Sequence, residues 1–500
     1  MKPFQRTTRP GLRELEDLAA TIQASAVSAI GSDPGDVSAA AERHRTMLPE
    51  KMRSALGIFY TPPDVADRLL DDLGAAGARF DGSQVFCDPA CGGGAFLLPI
   101  ARRIVQRLPR SEDAAQTLAR CLIGIDIDPG GLAITRAALN ALAREWFGTV
   151  PRWNLRNDNT LRLAVEGRLP RADVVVGNPP FGRVRLSDLE RTHFAGSIRG
   201  HANLYGLFVD VALAISGGLV GYVMPTSWLA GDYFAALRQL VATERPPTSV
   251  RFIASRRSVF MGVLQEMCLA VFGRTQRSVL TVFGDVDSHG GLTTRLRGAG
   301  PWFIPRRESD ALLLSAASGS RYRLADYGYR VHTGPLVWNR HRDQLRASPS
   351  RGTAPIVWAD AVRPAEQVDY RRSRRRLLHL MVNGMGHLLL DRPAVLVKRT
   401  TSKEQRRRLV AAPFGDPPAM VENHLNVVTS DSGAASVPVD LLCALLNSEP
   451  VDRIFRSLSG SVAVSATELV ALPLPPPAAL MRLASARNPD DFILAAYLRN

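Results

Sequence analysis

Five hundred residues exceed one ordinary domain and suit two or three of about 100–200 residues each. With 46% hydrophobic and 22% charged residues, the composition is globular and excludes wholesale disorder, collagen and low-complexity architectures. The formal charge of +15 is unevenly spread: Arg330 to Val410 holds 18 Lys plus Arg against 6 Asp plus Glu, a net of +12, leaving +3 for the remaining 419 residues. A basic block in an otherwise near-neutral chain is the pattern of a localised polyanion-binding surface.

Residues 1 to about 50 read as helical, with Leu12, Leu15, Leu18 and Ile22 at helical spacing and a second stretch from Val37 to Leu56, separated by the turn Gly31–Asp36. This N-terminus lacks an apolar core and so does not read as a secretory signal. The rhythm then changes. Gln84–Cys87, Leu122–Ile127, Ala172–Val176 and Leu219–Val223 read as short strands, alternating with helices over Ala95–Leu108, Leu132–Phe147 and Leu204–Ile215. Such alternation predicts an α/β domain with a largely parallel, doubly wound sheet. The most apolar run, Val209–Met224, is broken by Asp210, Ser216 and glycines, so no membrane span is expected. After Phe283 the alternation fades into Gly-, Ser- and Arg-rich segments, ending near the connector-like Pro473–Leu480. Five cysteines (Cys87, Cys91, Cys121, Cys268, Cys443), mostly in apolar runs, predict reduced core thiols and a cytosolic setting.

Two loops carry the chemistry. Asp88-Pro-Ala-Cys-Gly92-Gly93-Gly94-Ala-Phe96 lies between a strand and a helix, where glycines let the backbone turn sharply and approach a ligand. It departs from the dinucleotide fingerprint, because Leu97 stands where the last glycine belongs. The leading Asp88 would repel a pyrophosphate but accept an ammonium, and Asp126, ending the next strand, suits ribose hydroxyls. A ligand with a ribose and a positive group but no phosphate fits, and S-adenosylmethionine is of that kind. The third strand runs into Asn178-Pro179-Pro180-Phe181, a stiff loop offering two oxygen acceptors and an aromatic face, which suits a planar amine.

Taken together, these segments resemble the N6-adenine DNA methyltransferases of restriction–modification type, in the subgroup whose target-recognition domain follows the catalytic domain. Gly57–Pro63 resembles the family's N-terminal cofactor motif, Asp88–Phe96 its glycine motif, Asn157–Asn159 the segment that meets the cofactor adenine, and Asn178–Phe181 its catalytic tetrapeptide. Val259–Val263 is similar to a late motif whose aromatic covers the extruded base. Gly328–Gly334, Val421–His424 and Leu442–Ser448 resemble, more loosely, segments of the recognition domain. Phe181 stands where many relatives have Tyr, and Gly93 where Ser is commoner.

The resemblance implies a class I S-adenosylmethionine-dependent sheet with helices on both faces, a short N-terminal helical segment and a C-terminal α+β target-recognition domain. The expected bounds are 1–50 (helical), 51–288 (catalytic), 289–480 (recognition) and 481–500 (tail). It implies cofactor contacts from Tyr60, Thr61, Asp88, Ala90, Gly92, Gly94, Asp126, Ile127, Asp158 and Asn178, and catalytic roles for Asn178, Pro179, Pro180, Phe181 and Phe260. Double-stranded DNA is the expected partner, contacted by Arg371, Arg372, Arg374, Arg375, Arg376, Lys398, Arg399, Arg406, Arg407 and Arg408. A separate restriction endonuclease is a further expected companion; no metal or membrane is called for. Methyltransferases of glutamine side chains or RNA bases share the Asn-Pro-Pro-aromatic loop, and a DNA-binding module with an inactive cofactor fold would share most of the pattern.

Overall fold

β-Branched and aliphatic runs that end in glycine or an acid build the centre of the first unit. The computed structural model describes residues 31, 33–47, 61–253, 266–273, 279–296, 298–299, 301–400, 407–415, 418–430, 435–458, 464–483 and 486–499. The expected helix through Leu12–Ile22 and the residues Tyr60, Phe260 and Arg406 lie outside them. The chain divides into two compact units, Met1–Trp228 with Tyr233–Gly300, and Leu229–Asp232 with Pro301–Asn500.

In the first unit, β1 (Phe86–Asp88), β2 (Leu122–Asp126), β3 (Asn154–Asn157) and β4 (Ala172–Gly177) precede a small hairpin of β5 (Arg183–Val184) and β6 (Ala202–Asn203). Then come β7 (Ser216–Pro225), β8 (Pro247–Ile253), β9 (Met267–Phe272), β10 (Val279–Phe283) and β11 (Leu292–Arg295). All but the hairpin join one sheet in the order β11-β10-β8-β9-β7-β4-β1-β2-β3. The run β3-β2-β1-β4-β7 is parallel, and β9 enters antiparallel between β7 and β8. Val174, Val175 and Val176 of β4 are fully buried, as a central parallel strand covered on both faces requires.

Neighbouring residues on β7 show the two layers, because successive side chains leave opposite faces of a strand. A Cβ on Gly221 would lie 2.8 Å from Leu73 of the helix Pro63–Ala75, while the Tyr222 hydroxyl donates to the Phe208 carbonyl in the helix Leu204–Ile215 (3.3 Å). The strands and helices expected between residues 84 and 223 are present, whereas the expected helical stretch to Leu56 is described only as far as Met47. β3 was not anticipated: its sequence Asn-Leu-Arg-Asn is polar because it pairs only with β2 at the sheet edge. β11, another polar edge strand, carries the first unit past residue 288, where the composition shift suggested a boundary.

The second unit is α+β. Strands β12 (Tyr329–Thr333), β13 (Leu345–Arg346), β14 (Thr353–Val357), β15 (His379–Met381), β16 (Ala394–Lys398), β17 (Ala411–Phe414), β18 (Met420–Val421) and β19 (Leu425–Ser430) form two four-stranded sheets, β12-β19-β16-β17 and β13-β15-β14-β18. Segments singled out in the sequence hold this unit together. Gly334 abuts Glu422 so closely that a Cβ would collide with the Glu422 carbonyl oxygen. The Asn447 side chain accepts from the Ala411 N–H (3.0 Å) and donates to its carbonyl (2.8 Å). Residues 481–500, expected as a tail, include the helix Pro489–Leu498, whose Ile493 and Tyr497 are buried in this unit's core. Among the described residues no helix is long and apolar enough to cross a membrane, and the five cysteines are buried and form no disulfide.

Candidate functional site

β1 has β2 on one side and β4 on the other, so the strand order reverses there, and ligands of open α/β sheets bind at the carboxyl ends of such strands. Four strand ends deliver the expected residues to one cleft: Asp88 ends β1, Asp126 ends β2, Asp158 follows β3 and Asn178 follows β4. Thr61, Ala90, Gly92, Gly94, Ile127 and Pro180 also line it.

The glycine loop is shaped by close contacts. Gly92 and Gly94 have φ of +46° and +86°, a backbone region that favours glycine. A Cβ on Gly131 would lie 2.9 Å from the Gly92 carbonyl carbon, so the helix Pro129–Phe147 presses directly on the loop. Thr135 Oγ1 donates to the Gly92 carbonyl (2.7 Å) and Thr160 Oγ1 to that of Pro89 (2.5 Å).

Each carboxylate is oriented by backbone donors. Asp126 accepts from Gly92 N–H at Oδ2 (2.7 Å) and from Asp128 N–H at Oδ1 (2.8 Å). Burial, with help from the Asp128 charge, pushes its carboxyl up to about 6. Asp88 accepts from Ala90 N–H (3.0 Å), and burial drives its carboxyl up to about 8, with Asp126 adding to the rise. Burial also acts to raise Asp158, but hydrogen bonds from Arg162 and the Asn159 N–H outweigh it and hold this carboxyl below its usual range. Asn159 caps the next helix by accepting from Leu161 and Arg162 N–H groups.

Asn178 sits beside Asp88: a Cβ on Gly177 would lie 2.7 Å from Asp88 Oδ1, so only glycine permits this junction. Asn178 Nδ2 donates to Thr61 Oγ1 (3.0 Å), which anchors the side chain with its nitrogen placed toward Thr61. Pro179 is buried behind it, and Phe181 is half-buried, edge-on to Tyr205 at 6.3 Å between ring centres.

Sequence reasoning missed one wall of the cleft. Val37, Ser38, Ala41 and His44 of the helix Pro34–Met47 line it, and His44 Nε2 lies 2.7 Å from Asp128 Oδ2. A lone histidine on a polar helix gave no signal.

The basic residues of the second unit divide sharply. Arg371, Arg372, Arg374, Arg375 and Arg376 are exposed. Arg372 is engaged by Glu366 (2.8 Å), whereas Arg375 stacks over Trp338 and Trp358 at 5.6 and 5.1 Å. Arg342, not anticipated, also lies over Trp338, at 5.2 Å. Lys398 and Arg399 are half-buried, with Arg399 donating to the Asn423 carbonyl, and Arg407 lies 3.6 Å from Asp490. Arg408 must be corrected. It is 2% exposed, its N–H held by Asp452, so its side chain cannot reach a phosphate from the surface.

The cleft suits the cofactor expected from the sequence. Three carboxylates accept hydroxyl, amine and ammonium hydrogens and would repel phosphate, while a Cβ on Gly92 would meet nothing within 4 Å. Sheet order and acid-lined cleft are those of a class I S-adenosylmethionine-dependent methyltransferase fold. Residues 120–260 match the model of the Eco57I restriction-modification methylase family. The chain is 27% identical to the type II methyltransferase M.PstI of Providencia stuartii over 63% of its own length and 67% of the relative's. It is likewise 27% identical to M.BsuBI of Bacillus subtilis, over 60% and 64%. These matches therefore span about two thirds of each relative. Among solved structures, the type IIL restriction-modification enzyme MmeI, in complex with DNA, aligns with 93% of this chain and 76% of its own at a TM-score of 0.57 and 14% identity. By sequence the chain is thus similar to type II methyltransferases, and by fold to a restriction-modification enzyme.

Proposed function

We propose that the protein transfers the methyl group of S-adenosylmethionine to the N6 amine of an adenine rotated out of duplex DNA. The supporting observation is the Asn178 amide, oriented by Thr61 at the strand end beside Asp88. Asn178 Oδ1 and the Pro179 carbonyl accept the two amine hydrogens, drawing the nitrogen lone pair out of ring conjugation. Phe181 stacks on the base, and with Phe260 as the second aromatic such contacts contribute ~1–3 kcal/mol per base, offsetting the cost of extrusion. The cofactor supplies an activated methyl on a sulfonium; Asp126 holds the ribose hydroxyls, Asp158 the adenine amine, and Asp88 faces positive charge. Rate comes mostly from alignment.

This role for Asp88 gives a pH dependence. A carboxyl at about 8 in the fold and 3.8 when unfolded binds its proton more tightly when folded, so the stability of the unliganded protein falls as pH rises between those values. A bound cation favours the ionised form, so binding releases a proton and affinity rises from pH 6 to 8. Titration calorimetry in buffers of different ionisation enthalpy checks this, and a pH-independent affinity would contradict it.

We further propose that the first unit acts as the catalytic domain and the second as the recognition domain, and that the second unit supplies the DNA face through its exposed arginines, in a bacterial cytosol. MmeI and DrdV, whose structures are complexes with DNA, support DNA as the partner. Replacing Arg374, Arg375 and Arg376 by Ala is expected to reduce the slope of log affinity against log salt by up to about 3, roughly one per phosphate contact. Arg408→Ala is expected to leave that slope unchanged while lowering Tm, since a buried guanidinium is lost. The reverse pattern in salt titrations would overturn the assignment.

A further inference from the structure

We propose that the helix Pro34–Met47 belongs to the cofactor site and that His44 is the positioning residue that latches it there. The proposal rests on reading the cleft as the S-adenosylmethionine site.

The first observation is a continuous line of hydrogen bonds. His44 Nε2–H donates to Asp128 Oδ2 (2.7 Å), with both residues 5% exposed. Asp128 Oδ1 caps the Gly130 N–H (3.0 Å), and the Asp128 N–H donates to Asp126 Oδ1 (2.8 Å). Asp126 Oδ2 then accepts from Gly92 N–H (2.7 Å). The helix is thereby tied to the acid assigned to the ribose and to the glycine loop. A charge-assisted hydrogen bond of this kind, shielded from water, is among the strong ones, and partners behind ligand-contacting groups commonly set their orientation.

The second observation is steric. The His44 ring rests on Gly130, where a Cβ would collide with Cε1, and Ala41 rests on Gly93, where a Cβ would lie 2.9 Å from its own Cβ. Glycine at 93 is what lets the helix settle on the loop. The third is the remaining ring nitrogen: His44 Nδ1 is buried with no hydrogen-bond partner among the described residues, in a side chain that lines the cleft. A buried acceptor lacking a donor is costly, so the His44 site is incomplete without a further donor.

A 14-residue helix is marginal alone, so its docking depends on these contacts. Cofactor binding and helix docking are therefore coupled, each strengthening the other by the same factor.

Titration calorimetry of the full chain with S-adenosylmethionine tests this. His44→Ala is expected to raise Kd about tenfold, and His44→Gln, which keeps an N–H donor, to remain within about threefold of the parent. DNA affinity is expected to stay unchanged in both, whereas general loss of structure would weaken it. Gly93→Ala is expected to raise Kd as well, and adding Ala41→Gly to restore it. In the unaltered protein, amide exchange over residues 37–47 is expected to slow when cofactor is added. Parent-like Kd in both His44→Ala and Gly93→Ala, or exchange in the helix insensitive to cofactor, would overturn the latch while leaving the cofactor reading intact. Failure of the unaltered chain to bind S-adenosylmethionine would overturn both.

Discussion

Asn178→Ala is expected to drop methyl transfer by at least about 10³-fold while leaving the Kd for S-adenosylmethionine within about threefold. The side chain offers one of two acceptors for the reacting amine, and both are needed to aim the nitrogen lone pair. Its value is geometric: Nδ2 is committed to Thr61 Oγ1 at 3.0 Å, so the oxygen is the end presented elsewhere. Thr61→Val keeps the shape of a residue that is 3% exposed but removes this anchor, and a loss of about tenfold in kcat is expected, with KM for DNA little changed. Single-turnover kinetics would separate these effects from binding. Normal turnover by the Asn178→Ala protein would refute its role.

Asp126→Asn should have the second largest effect, this time on the cofactor. Both carboxylate oxygens accept from backbone N–H groups, of Gly92 and Asp128, so an amide in either orientation turns an NH₂ against a donor. One favourable contact becomes a repulsive one at the base of the glycine loop. Hydrogen bonds to charged groups contribute about 1.5–3 kcal/mol, which sets an expected rise in cofactor Kd of about tenfold to a hundredfold. Cofactor titration combined with thermal melting would check this: the Kd should rise and Tm should fall together. An unchanged Kd would mean that Asp126 shapes neither the loop nor its ligand.

The cleft was legible where local sequence carries its own punctuation. β4 is a run of valines ending in Gly177, after which the chain must turn, so Asn178-Pro179-Pro180 could be placed at a strand end before any fold was known. The same holds for Asp88 and Asp126, each closing a short apolar run. The features that stayed hidden depend on partners distant in the chain. His44 acquires meaning only through Asp128, 84 residues on. Arg408 reads as the end of a basic run, yet Asp452, 44 residues later, takes its backbone N–H in the interior of the second unit. Arg375 is set apart from the other exposed arginines by two tryptophans that only the fold brings beneath it. The strands β3 and β11 are polar because an edge strand need bury little, so periodicity and hydrophobicity both miss them.

The most direct measurement is the identity of the methylated nucleoside. Incubating the full chain with tritiated S-adenosylmethionine and mixed-sequence duplex DNA, then digesting to nucleosides, is expected to place the label in N6-methyl-2′-deoxyadenosine alone and to fail with Asn178→Ala. Label in a cytosine or in protein, or no label in any adenine-containing duplex, would contradict the assignment.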